Sequence, residues 1–158
     1  MVTIQAYTNV CFKFVLADHI SVCAGMSVYE TVRLVSAGGT IFLYPNASTW
    51  QPEALARVGR TVDSPLGDVA NNEVQEENQQ ALISSICWSM ADEQNSFVCY
   101  VLPKGSRFLW HPDVSRALSQ TKEAVRVFAA SLCMYGASPQ SEIMLVGTIP
   151  TLAAAAQG

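Results

Sequence analysis

The chain has few charged residues, and basic ones are the scarcer kind. Only 14% of its 158 residues are charged, with nine Lys or Arg against 13 Asp or Glu and a net charge of −4. These totals give no sign of a broad basic patch, although nine cations can still be focused along one line. Half of the residues are apolar, which excludes a disordered chain. The composition fits either a subunit that packs against other subunits or a compact domain with an uncharged polar surface.

Long hydrophobic runs are also absent. The longest near-apolar tract, IMLVGTIPTLAAAA at residues 143–156, is too short to span a membrane and contains Pro150. The first residues lack a charged segment and a clean apolar block, so we expect no signal peptide. At this length we predict one domain over residues 1–158, with no membrane partner.

Cysteine is present in an odd number and without metal-ligand spacing. None of the five forms a C-x-x-C pair, and each lies in an apolar stretch, which favours buried free thiols in a reducing compartment over disulfides or zinc. The five are Cys11, Cys23, Cys87, Cys99 and Cys133.

Recognisable catalytic motifs are missing as well. The chain contains no G-x-G-x-x-G, no G-x-x-x-x-G-K-[ST] and no G-x-S-x-G. Its two histidines, His19 and His111, have no nearby ligand cluster, so we predict no metal site, no cofactor and no catalytic residue. For His111, which follows Trp110 at a predicted helix start, we expect a contact at the helix N-terminus or at an interface.

Hydrophobic periodicity and the positions of capping, Gly and Pro residues predict four helices with short strands between them. We expect helices over residues 27–37, 52–60, 71–90 and 111–136, and strands over residues 10–16, 40–44, 97–102 and 142–149. The third helix is expected to bury a stripe of Leu82, Ile83, Ile86 and Met90. The fourth helix carries a seam at 4-and-3 spacing, formed by Val114, Leu118, Val125, Phe128, Leu132 and Tyr135, with Thr121 at the polar step.

This tally predicts a mostly α fold, namely a four-helix bundle with a small β patch and extended termini. The alternative is an α/β or α+β single-layer sheet with packed helices, because strands do alternate with helices. We rank this alternative second because no glycine-rich turn joins a strand directly to a helix.

The predicted fourth helix also carries a line of cations. Arg116 and Arg126 are ten residues apart, about 15 Å along a helix, and Lys122 lies between them on a neighbouring face. Such a line can contact a phosphate backbone. A solvated face on which Lys122 and Glu123 balance each other explains the same residues, and both interpretations stay open.

Taken in order, several segments resemble the coat proteins of rod-shaped plant RNA viruses of the tobamovirus type. The segments are FKFVLADHI at residues 12–20, FLYPNAS at 42–48, ALISSICWSMADEQNSFVCYV at 81–101 and EAVRVFAASLCMYGAS at 123–138. The resemblance implies a four-helix subunit that stacks into a helical rod around single-stranded RNA. It also implies a virion in the host cytoplasm, with no enzymatic activity.

The same resemblance assigns roles to particular residues. Arg126 falls on a position where the family places a phosphate-binding arginine, and Arg116 is nearby. The family's basic residues in the turn after the third helix are absent here, and Lys104 and Arg107 are the candidates to replace them. For the family's carboxylate pairs between subunits, Glu77 is the counterpart. Asp92 and Glu93 are interface candidates on a separate ground, because negative charge is unfavourable at the end of a helix and indicates either a loop or a use between subunits.

A second class of function competes with the coat hypothesis. The chain can equally be a cytosolic α/β domain that binds a small molecule or a protein partner, including an enzyme that uses one cysteine. The coat hypothesis requires partners that are copies of this chain together with single-stranded RNA. The alternative requires a discrete binding site on a single copy.

Overall fold

The computed structural model describes residues 3–6, 12–15, 19–21, 28–35, 37–131 and 142–150. Within them the chain forms seven strands and four α-helices. In chain order these are β1 (Thr3–Ala6), β2 (Phe12–Val15), β3 (His19–Ser21), α1 (Val28–Arg33), β4 (Thr40–Leu43), α2 (Pro52–Val58), α3 (Asn72–Glu93), β5 (Phe97–Pro103), α4 (Pro112–Ser119), β6 (Arg126–Ser131) and β7 (Glu142–Gly147). Short 3-10 turns at Ser48–Trp50 and Phe108–Trp110 precede α2 and α4.

All seven strands belong to one mixed sheet, in the order β3-β2-β1-β4-β5-β7-β6. The neighbours β1, β4 and β5 are parallel, and the remaining pairs are antiparallel. Parallel neighbours need a crossover connection, and the chain between β4 and β5 supplies it as α2 and α3. The fold is therefore a sheet with packed helices, of the α+β class.

The prediction of a four-helix bundle is wrong, because the long fourth helix does not exist. Helix α4 ends at Ser119, where the hydroxyl of Thr121 donates to the carbonyl of Ala117 at 2.8 Å and accepts the indole N–H of Trp88 at 2.8 Å. Just beyond, the backbone N–H of Lys122 donates to the carboxylate of Asp92. These contacts from α3 fix a loop where local spacing suggests another helical turn.

The second half of the predicted helix forms an edge strand instead. Strand β6 pairs antiparallel with β7, so that Val127 lies opposite Val146 and Phe128 opposite Leu145. On one side of this edge strand, the ladder with β7 provides the backbone hydrogen-bond partners that a helix would otherwise provide. The rest of that predicted helix, residues 132–136, lies outside the described residues.

Several other predicted elements are confirmed. The third helix is α3, whose N-cap Asn71 accepts the backbone N–H groups of Glu73 and Val74. The second helix is α2, which has Pro52 at its first position and ends at Gly59 in the left-handed conformation with φ 68°. Strands β2, β4 and β7 lie within the predicted strand ranges, and β5 extends one residue past its predicted end, to Pro103. The predicted helix cap at Ser27 lies outside the described residues.

The buried face of α3 differs from the predicted apolar stripe. Leu82 and Ile86 are 41% and 39% exposed, and Ile83 and Met90 pack half-buried against the core, whereas the fully buried positions are mostly small. The buried set is Val74, Glu77, Ala81, Ser84, Ser85, Cys87, Trp88 and Ala91. Small side chains let the helix approach the sheet closely, and Trp88 stacks on Tyr100 with ring centroids 5.1 Å apart.

The main core lies between the helices and one face of the sheet. Tyr100 links its parts, because its ring meets Trp88 on α3 and Phe108 at 5.3 Å, and its hydroxyl lies 3.0 Å from the Ser84 hydroxyl. Phe108 in turn meets the edge of Trp50 at 6.0 Å. The strands contribute Ile41, Leu43, Val98, Tyr100, Leu102 and Val146 to this cluster.

The alternate strand residues form a second apolar face of the sheet. On β4, β5, β6 and β7 this face carries Phe42, Phe97, Cys99, Val101, Phe128, Ile143 and Leu145. Cys99 is buried and the others are half-buried. Strands with apolar residues on both faces are typical of parallel sheets covered on both sides.

Gly147 occupies a position where only a hydrogen fits. A Cβ at this residue would lie 2.5 Å from the Val98 carbonyl oxygen and 2.9 Å from the Cys99 Cα. We therefore expect Gly147→Ala to lower the free energy of unfolding by about 2 kcal/mol, because backbone must shift to admit the methyl group. Urea denaturation measures the change, with Ala129→Ser on the exposed part of β6 as the control. Equal stability of the two variants would contradict this packing.

Candidate functional site

Two loops meet at one edge of the sheet. The first loop, residues 44–51, follows β4, and the second loop, residues 104–111, follows β5. Because β4 and β5 are parallel, with Leu43 opposite Tyr100, both loops leave the same carboxyl edge. The backbone N–H of Arg107 donates to the Trp50 carbonyl at 2.8 Å, which joins the loops directly.

Helix α3 holds the first loop through side chains on one face. The amide oxygen of Gln80 accepts the backbone N–H of Asn46 at 3.0 Å. The carboxylate of Glu77 accepts the Ser48 hydroxyl at 2.6 Å on one oxygen, and the Thr49 backbone N–H at 2.9 Å and hydroxyl on the other. A carboxylate with three donors fixes the loop's backbone, not only its side chains.

A buried guanidinium completes this network. Arg60 is 2% exposed and Glu77 is 1% exposed. Thr49 bridges them, since its hydroxyl accepts from Arg60 Nε at 3.2 Å and Nη2 at 2.9 Å while it donates to Glu77. Nη1 of Arg60 donates to the Pro65 carbonyl at 2.8 Å and to Asn78 at 2.7 Å. Burial lowers the pKa of Arg60 to about 10, against the opposing effect of Glu77, so the group stays charged at neutral pH.

Trp50 lies between this network and the second loop. The guanidinium carbon of Arg60 is 3.5 Å from the centroid of its ring, and Phe108 and His111 meet it edge-on with centroids at 6.0 Å. The indole is fully buried. Its Nε1–H has no acceptor among the described residues.

His111 is the N-cap of α4, as expected from its position in the sequence. Its Nδ1 accepts the backbone N–H of Asp113 at 3.2 Å, so the neutral ring carries its proton on Nε2. Burial lowers the pKa of His111. Asp113 opposes this shift, and Arg60 and Arg116 add to it.

The outer part of the second loop presents an exposed cation on an aromatic ring. The guanidinium carbon of Arg107 lies 5.6 Å from the ring centroid of Trp110. Arg107 is exposed and Trp110 is half-buried. Lys104 forms an ion pair with Glu142 at 2.7 Å. In the described part of the chain Arg107 forms no ion pair, so its charge is available to a ligand.

The predicted helical line of cations is not formed. Arg116 lies on α4 and pairs with Asp113 one turn away, whereas Lys122 lies in the following loop and Arg126 begins β6. The residues therefore do not share a helix face, because the helix that was to carry them ends at Ser119. Their contacts with phosphate stay predictions.

The three predicted interface carboxylates have different surroundings. Glu77 is buried within its own chain and accepts from Ser48 and Thr49. Asp92 accepts the backbone N–H of Lys122, and Glu93 is exposed at the end of α3. A role between subunits stays a prediction for all three residues.

The two described cysteines lack the features of a nucleophile. Cys87 and Cys99 are free and buried, as predicted for packing residues. Burial raises the pKa of each thiol to about 12, so both are protonated at neutral pH. Cys11, Cys23 and Cys133 lie outside the described residues.

Two further kinds of site are absent from the part of the chain that the structure describes. No group of three or more His, Cys, Asp or Glu side chains is placed to hold a metal ion there. No described helix combines the length and the apolar character needed to cross a bilayer.

Sequence reasoning missed the residues that organise this edge, chiefly Thr49, Trp50, Arg60 and Trp110. None of them belongs to a motif or a periodic stripe. The contacts of Thr49, Trp50 and Arg60 come from other segments of the chain, and Trp110 contacts Arg107 of its own loop. No protein-family model, curated protein or solved structure matches the chain.

Removal of the Glu77 charge tests the network. We expect Glu77→Gln to lower the free energy of unfolding by about 3 kcal/mol, because it leaves the buried Arg60 charge without its counterion. The neighbouring Glu76 is exposed on the same helix, and Glu76→Gln should change stability by less than about 0.5 kcal/mol. Urea denaturation at pH 7 measures both, and similar small losses would contradict a buried charge network.

The lowered pKa of His111 predicts that the folded protein loses stability in acid. The unfolded imidazole binds a proton near pH 6.5, whereas the folded ring does so only at a lower pH. Because the unfolded state then binds more protons, stability falls as the pH drops below about 6.5, and the loss is complete below the folded pKa. His111→Asn retains a capping oxygen but does not titrate. Unfolding measured from pH 7.5 to 5 should show a smaller loss for this variant; parallel curves would contradict the role of His111.

Proposed function

We propose that the chain is a ligand-binding domain that binds a nucleotide moiety on the two loops at the carboxyl edge of β4 and β5. Open sheets with parallel strands bind their ligands outside the carboxyl ends of those strands. Both loops lie there, and they are joined at Arg107 and Trp50.

The pair formed by Arg107 and Trp110 carries this proposal. A guanidinium over an indole offers a positive charge and a flat apolar surface side by side. A nucleotide has the complementary parts, since its phosphate accepts from Arg and its base stacks on an aromatic ring. Trp50 and Trp88 are fully buried, so Trp110 is the tryptophan that a ligand can reach.

The rigidity of the first loop supports the same proposal. Its backbone is held by Gln80 and Glu77, and its Trp50 carbonyl fixes the second loop at Arg107. Loops that are ordered before binding lose little conformational entropy when a ligand arrives. Arg107 alone can then bind the phosphate of a nucleotide, although the net charge of the chain is −4.

The nucleotide moiety has two possible sources, a free mononucleotide and a residue of single-stranded RNA. The second source, single-stranded RNA, is also the partner that the sequence resemblance implies. Self-assembly into a coat stays a prediction. The four-helix fold behind it is wrong, so its remaining support is the charge-poor composition.

Fluorescence of Trp110 tests the proposal. We expect AMP or a single-stranded oligonucleotide such as (rA)8 to change the emission of the wild-type chain saturably. Arg107→Gln should weaken binding about tenfold, which corresponds to one lost hydrogen bond to a charged group. Trp110→Phe should remove the signal.

Arg33→Gln is the matched control, because it removes the same charge from an exposed position in the last turn of α1. It should leave the affinity unchanged. Tighter binding of the oligonucleotide with a steep salt dependence indicates the RNA source, and equal affinity for AMP indicates the free nucleotide. Absence of saturation with both ligands, or equal weakening by the control, would overturn the proposal.

A further inference from the structure

The indole N–H of Trp50 is a buried donor without an acceptor in the described part of the chain. Nine in ten or more buried polar groups in folded proteins have a hydrogen-bond partner. An unpartnered one loses its hydration without compensation. This donor therefore requires an explanation that the rest of the core does not supply.

Trp88 provides an internal comparison. It is as fully buried as Trp50, and its Nε1–H donates to the Thr121 hydroxyl at 2.8 Å. The chain thus satisfies one of two equally buried indoles. The difference lies in the surroundings of Trp50 and not in the depth of burial.

Two acceptors beside Trp50 are already in use. Nδ1 of His111, whose ring meets the edge of the indole, accepts the backbone N–H of Asp113. The Thr49 hydroxyl accepts two N–H groups of Arg60, which stacks on the indole face. Neither of these two acceptors can turn to Trp50 without breaking one of these bonds.

We propose that Trp50 Nε1–H binds an oxygen acceptor that comes from outside the chain, carried either by an internal water molecule or by an oxyanion such as phosphate. Both sources offer the oxygen lone pair that the donor needs. The cation of Arg60 beside the ring favours an oxyanion, whereas its counterion Glu77 makes a neutral water equally suitable. This site rests on the buried indole and does not depend on the proposed nucleotide binding at Trp110.

Nuclear magnetic resonance of the 15N-labelled full chain tests the proposal. The indole N–H signals are assigned with Trp50→Phe and Trp88→Phe, which keep an aromatic ring. In a buffer without phosphate, an internal water gives a cross-peak from the Trp50 N–H to water with a long residence time. The Trp88 N–H, which has a protein acceptor, gives none and serves as the matched control.

Inorganic phosphate is then added to the same sample. A saturable shift confined to the Trp50 N–H indicates the oxyanion source, and a persistent water cross-peak without a shift indicates water. Either result supports the proposal, and both are independent of any effect on Trp110 fluorescence. A Trp50 N–H with neither the cross-peak nor the shift would overturn it.

Discussion

The buried contact between Glu77, Thr49 and Arg60 determines the shape of the sheet's carboxyl edge. Two opposite charges lie in the interior, and a single hydroxyl joins them. Either charge alone would be strongly destabilising in that environment, so each depends on the other. Their remaining hydrogen bonds go to the first loop, to Pro65 in the connection between α2 and α3, and to Asn78 on α3. The network therefore connects α3, the first loop and the connection between α2 and α3 through directional hydrogen bonds, which apolar packing alone would not provide.

The second loop depends on that network through Trp50. The indole rests on Arg60, and its backbone carbonyl accepts the N–H of Arg107. His111 closes the same loop as the cap of α4. A change at Glu77 is therefore transmitted through packed neighbours to the exposed residues of the second loop. Interaction energies between residues in contact are not additive, so we expect substitutions along this series of contacts to have interdependent effects on stability.

Local signals in the sequence were enough to predict part of the fold. Helix α3 has Asn71 as its cap, α2 is bounded by Pro52 and Gly59, and β5 is a run of β-branched and aromatic residues. The end of α4 has no such signal. It depends on Trp88 and Asp92, which reach Thr121 and Lys122 from α3. The candidate site was not predicted for the same reason. A glutamate in the first turns of a helix is ordinarily solvated, and the burial of Glu77 is explained only by its contacts with Thr49 and Arg60.

The segment 123–138 shows that a resemblance of short motifs can suggest the wrong secondary structure. Its apolar residues fit the last helix of a coat subunit, yet part of the same run, Arg126–Ser131, pairs with β7 as an edge strand. Alternating and helical spacing overlap in a run this short, and pairing with a distant strand decides between them. A function inferred through the helix loses its geometric basis once the strand is present. The two loops are different, because several independent hydrogen bonds to backbone atoms specify their positions, and a function argued from them depends on geometry alone.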